Sequence, residues 1–156
     1  VYSHYPSRDE LIRAVLTRTL NRAITALDRA TLNEGPPAAA LQRFIETNWD
    51  TSIENRVFTL PTLPMRPEEE QTGHGPILDR LVPLIQRGQR TGDFDPRLSA
   101  NWIVAALMSL THAAANEVGG GRMSPDDALH ALTRSVWRIL GIDLPIRADA
   151  TKGPFP

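Results

Sequence analysis

Residues 95–140 set the tightest limit on what this chain can fold into. Gly119-Gly120-Gly121 divides two helical patterns, and glycines in succession stop a helix. Before them, Asp95-Pro96 reads as a cap followed by proline at the first helical position, which predicts a helix from there to about Val118. That helix has no clean polar side. Trp102, Ala106, Ser109, Ala113 and Asn116 recur along one flank, and Ile103, Leu107, Leu110, Ala114 and Val118 along a second. Val104, Met108, Thr111 and Ala115 fill a third. A helix apolar nearly all round has to be covered nearly all round. After the glycines, Ser124-Pro125-Asp126-Asp127 opens a last helix. In it Leu129, Leu132, Val136, Ile139 and Leu140 form a seam near heptad spacing, and the small Ala128, Ala131 and Ser135 permit close approach.

An antiparallel pair with apolar surface to spare can hide it in two ways. One protomer can wrap around it, or a second copy can complete a four-helix bundle. The surplus favours the second copy. The expected homodimer interface is Ile103, Leu107, Leu110, Ala114, Leu129, Leu132, Val136 and Ile139. A chain of 156 residues can otherwise build one core, burying about 70% of its unfolded surface.

The upstream chain is helical as well. Ser7 to about Leu32 carries Leu11, Val15, Leu16, Leu20, Ile24 and Leu27 at helical spacing, and Asn33-Glu34-Gly35 ends it. A second helix is expected over Pro36–Phe58, with Leu41, Phe44, Ile45, Asn48, Trp49, Ser52 and Ile53 on one face. Pro61 to Pro76 holds four prolines, two glycines and Glu68-Glu69-Glu70, which predicts an irregular surface loop. A third helix follows from Pro76 to about Thr91, with Pro83 inside it and Gly88 weakening its last turn. Residues 143–156 form an aperiodic tail.

No catalytic pattern emerges. His4, His74, His112 and His130 stand at no motif spacing from a nucleophile or carboxylate, and the chain has no cysteine. The expectation is no enzyme, no metal and no cofactor. No apolar run is long enough to span a bilayer, so a soluble cytoplasmic protein without membrane partners is expected. A small-molecule pocket is the better candidate, since such sites combine apolar walls with a few convergent polar groups. Phe44, Trp49, Phe58, Trp102 and Ala106 are its candidate walls, and Asn48, Ser52, Ser109 and His112 its polar groups. For any single ring, plain core remains the alternative.

The opening residues Tyr2-Ser3-His4-Tyr5-Pro6-Ser7-Arg8 supply a helix end, a break and a helix start. Pro6 keeps Tyr5 out of the α region, and Ser7 with Glu10 makes a capping box. Arg8 then sits in a first turn that disfavours positive charge unless an anion lies before it. This junction, Tyr2-x-His4-Tyr5-Pro6-Ser7-Arg8-x-x-Leu11, resembles that of TetR-type bacterial transcription regulators. The resemblance implies an all-α helical ligand-binding domain whose two C-terminal helices form a four-helix bundle across a homodimer. Residues 1–6 would be the end of a DNA-reading helix, 7–142 the effector-binding and dimerisation domain, and 143–156 the tail. Tyr2, His4 and Arg8 would be DNA phosphate contacts. The implied function is a ligand-responsive regulator, a repressor, whose small apolar or amphipathic effector alters the spacing of the DNA-reading helices. With 17 basic and 18 acidic residues the chain has no overall attraction to nucleic acid, so operator DNA would be held mainly through an N-terminal domain missing here. The rival expectation is a helical dimeric protein-interaction module with no small-molecule effector.

Overall fold

The computed structural model describes residues 7–54 and 67–142, and among these the regular structure is five α-helices with no strand. They are α1 (Arg8–Arg29), α2 (Pro37–Glu54), α3 (Pro67–Thr91), α4 (Ala100–Gly119) and α5 (Pro125–Ile139). The all-α expectation is met. Helix α1 begins where the capping pattern places it, with Ser7 Oγ accepting the Glu10 N–H at 3.2 Å. Helix α5 begins the same way, Ser124 Oγ accepting from Asp127 N at 3.1 Å. Each such cap satisfies a backbone N–H that has no partner within the helix.

Two helix starts differ from the sequence reading. Helix α3 starts at Pro67, so the second half of the expected 61–76 loop is helical; the first half lies outside the described residues. Proline needs no N–H at a first turn. The helix then runs through both Pro76 and Pro83. Helix α4 is capped by Ser99 rather than Asp95, the Ser99 side chain accepting from Trp102 N. Asp95 is engaged in another way: its Oδ1 accepts the Arg97 N–H at 2.9 Å, and its carboxylate takes the Arg97 guanidinium. A carboxylate that closes a turn on residue i+2 is not available to open a helix.

The segment between α3 and α4 is therefore tied down. Asp95 N donates to Leu140 O at 2.8 Å, and Gln89 Nε2 donates to the carbonyls of Asp95 and Leu98. Phe94 turns inward to lie against Gly88 and is 2% exposed. A Cβ at position 88 would stand 2.7 Å from Phe94 Cγ. Gly88 is thus the seat of an aromatic ring, beyond being a weak helical residue.

One continuous core joins the five helices. Leu27 and Ala30 reach it from α1, Leu41, Phe44, Ile45 and Trp49 from α2, and Leu81, Leu84 and Ile85 from α3. Ile103, Val104 and Leu107 enter from α4, and Leu132, Val136 and Trp137 from α5. Helix α4 packs on α5 and α3, while α1 packs on α2 and α3. No polar side chain among the described residues is buried, so this core is held by apolar burial and packing.

Candidate functional site

The rotation of α4 about its axis decides which residues can meet a ligand or a partner. A helix presents successive residues about 100° apart. The flank carrying Ile103, Leu107 and Ala114 points into the protomer, these being 1%, 2% and 8% exposed. The flank carrying Trp102, Ala105, Ser109, Ala113 and Asn116 faces outward. Trp102 is 62% exposed, and with Leu98 it makes up the large apolar side chains exposed among the described residues.

The flank expected to meet a second copy is thus the one turned into the protomer. Ile103, Leu107 and Ala114 pack within one protomer and offer no surface to a second copy. Leu132 and Val136 on α5 are likewise interior. Of the expected interface, Leu110, Leu129 and Ile139 keep part of their surface free. Of the expected pocket, Trp102, Ser109 and His112 are exposed and do not converge with Phe44 and Trp49, which are 5% and 3% exposed inside the core. Ala106 is half-buried at the edge of the outward flank. The sequence could not separate the two flanks, because both are built of residues that tolerate burial.

His112 adds a detail on the outward side. Its Nδ1 lies 2.9 Å from the Met108 carbonyl. A carbonyl can only accept, so Nδ1 is the donor in this contact. Asn48 is half-buried and hydrogen-bonded or otherwise engaged within the protein. Arg8 is exposed in the first turn of α1. Tyr2, His4, Phe58 and the side chain of Ser52 lie outside the described residues. No group of three or more acidic or histidine side chains able to hold a metal ion occurs among the described residues.

Two arginines that the sequence did not single out organise the end of α1. Arg43 on α2 donates through Nε to Ala30 O at 3.0 Å, and through Nη2 to Thr31 O at 3.2 Å and Glu34 O at 2.9 Å. Arg87 on α3 donates to Asn33 O at 3.0 Å and Leu32 O at 2.8 Å. No local motif announces such contacts.

No protein-family model matches the chain, and no curated protein matches it either. Solved structures do. A protein of unknown function from Rhodococcus sp. RHA1 superposes with a TM-score of 0.67 at 22% identity, over 88% of this chain and 75% of that one. The TetR-like transcriptional regulator LfrR from Mycobacterium smegmatis, in complex with proflavine, superposes with a TM-score of 0.60 at 25% identity. That match spans 91% of this chain and 77% of LfrR. The chain has a TetR-like fold. The likeness to LfrR points to a regulatory role. No described helix is long and apolar enough to cross a membrane.

Proposed function

We propose that this chain is the effector-binding and dimerisation domain of a ligand-responsive transcriptional repressor. The observation that carries the reading is the superposition on LfrR, a transcriptional regulator solved with a small aromatic molecule, over nine-tenths of this chain. The effector is a small apolar or amphipathic compound held among α1, α2 and α3, with Phe44, Trp49 and Phe58 as apolar walls and Asn48 and Ser52 as polar groups. A second copy docks on the outward side of α4 and α5, through Trp102, Ala106, Leu110, Leu129 and Ile139.

The mechanism follows from the dimer. Two DNA-reading helices joined through one bundle have to match half-sites about one helical turn, 34–36 Å, apart. An effector that tilts α1 in each protomer changes that separation and releases the operator. It can do so only by binding the released state more tightly than the DNA-bound one. Tyr2, His4 and Arg8 contact phosphates, so they position the regulator without reading sequence.

A thermal-shift screen of lipophilic and flat aromatic compounds, proflavine among them, tests the effector half of the reading. A compound present at about a hundred times its dissociation constant stabilises by about 2.7 kcal/mol, a shift well above the noise of the method. A screen in which no compound of either class raises the melting temperature removes the effector. For the DNA half, Arg8→Ala in the operator-binding protein weakens all operators alike and lowers the salt slope by about one. Unchanged affinity takes Arg8 out of the phosphate contacts.

A further inference from the structure

We propose that Gln89 is a positioning residue for dimer assembly: from α3, its carboxamide holds the α3–α4 linker in the shape that offers Leu98 and Trp102 to a second copy. The proposal rests on the reading that two copies dock through the outward side of α4, and it names the side chain that prepares that side for docking.

Residues 92–99 join α3 to α4. Connections between helices usually move more than the helices they join, but this one is tied along its length. The N–H groups of Asp93 and Phe94 both donate to Gly88 O, at 2.9 and 3.0 Å, and Asp95 N donates to Leu140 O at 2.8 Å. Arg97 N donates to Asp95 Oδ1 at 2.9 Å. Phe94 anchors the segment by its buried ring. The end of α5 lies close beneath it: a Cβ at position 141, where φ is 74°, would stand 3.1 Å from Asp95 Cβ. The linker is thus held from α3 on one side and from α5 on the other.

Gln89 closes the arrangement with one group. Its Nε2 donates to Asp95 O at 3.1 Å and to Leu98 O at 2.7 Å, which spends both amide hydrogens on carbonyls three residues apart. Leu98 O stands one residue ahead of the Ser99 cap. The Trp102 N–H that would reach it in a continued helix is taken by Ser99 Oγ at 3.2 Å, so a side chain has to serve it. The contact fixes the place where the chain enters α4, and Trp102 lies in the first turn beyond it. Leu98 is 37% exposed and Trp102 62%. From Leu98 to Asn116 the chain carries no Asp, Glu, Lys or Arg, so the exposed flank they begin has no charge for a second copy to desolvate. An interface whose residues are already fixed loses less conformational freedom on docking. Gln89 acts through the linker and need not touch the partner.

Hydrogen exchange on dilute, monomeric protein tests the grip, and sedimentation velocity over a dilution series tests its use. In the parent protein the Asp95 amide should be protected at least about a hundredfold over a free peptide. An unprotected Asp95 amide overturns the proposal without any variant. Gln89→Met keeps the length and helix preference of the side chain and removes both donors. It should speed exchange of the linker amides about tenfold or more, leave those of α2 unchanged, and weaken the dimer about tenfold. Gln89→Lys returns N–H donors at similar reach and should recover both quantities. Unchanged linker exchange in the methionine variant overturns the proposal. So does faster exchange throughout the molecule, the mark of a general loss of stability, and so does a lysine variant that recovers neither quantity. Faster linker exchange with an unaltered dimer constant overturns it as well, while the second-copy reading stands. A parent protein that is monomeric at every concentration sinks the second-copy reading itself, and the proposal with it.

Discussion

Replacing neighbours on α4 separates the two flanks of that helix by experiment. Trp102 is 62% exposed. An aromatic side chain of its size offers at most about 250 Å², which leaves about 155 Å² free. At about 25 cal/mol per Å² its complete burial against a second copy stabilises the pair by up to about 4 kcal/mol per ring. Truncation to alanine forfeits about 2–4 kcal/mol where a tryptophan sits at the centre of an interface, and a two-fold interface contains the residue twice. Trp102→Ala should therefore weaken the dimer by at least about a hundredfold, with a monomer as helical as before, since alanine is the better helix former. Ile103, one residue along and 1% exposed, should behave in the opposite way. Ile103→Ala leaves a cavity costing about 2–5 kcal/mol, roughly 4–20 °C in melting temperature for a chain of this size, while the outward surface keeps its shape. Sedimentation velocity over a dilution series reads the first quantity, and circular-dichroism melting at matched protein concentration reads the second. Trp102→Ala with an unchanged dimer constant would refute the assignment of faces. So would Ile103→Ala that dissociates the dimer without lowering the melting temperature.

Two further outcomes follow from the segment between α3 and α4. Gly88→Ala should lower stability by about 1–3 kcal/mol, because the new Cβ displaces the buried Phe94 ring; a rise of about 1 kcal/mol, as helix propensity alone requires, would show that Phe94 does not lie there. The Asp95 carboxyl is held at about 2, below its ordinary 3.8, chiefly by the hydrogen bond from the Arg97 side chain and then by that from the Arg97 backbone. A depressed carboxyl contributes stability that is present above the unfolded value and lost as pH falls toward the folded one. Asp95→Asn should thus flatten the fall in melting temperature between about pH 4 and pH 2; an unchanged slope over that window removes the pair from the acid response.

Helix existence and the two serine caps at Ser7 and Ser124 were legible in the residues, since capping and period act over three or four positions. So was the run of apolar side chains in α4. Where local signals competed, the sequence reading went astray: proline and glycine between Pro61 and Pro76 outweighed the first-turn signal at Pro67, and Asp95-Pro96 looked like a cap although the carboxylate closes a turn on Arg97.

What the sequence by itself determined, then, is an all-helical chain with more apolar surface than polar in its penultimate helix. Tertiary packing decided which side of that helix is interior, because Ile103 and Trp102 differ by one step of rotation and either could be buried on composition alone. It also decided what Arg43 and Arg87 do. Their partners are backbone carbonyls at residues 30–34, 9 to 13 positions away for one and 54 to 55 for the other. Every residue type offers such a carbonyl, so no sequence pattern can mark it as the partner.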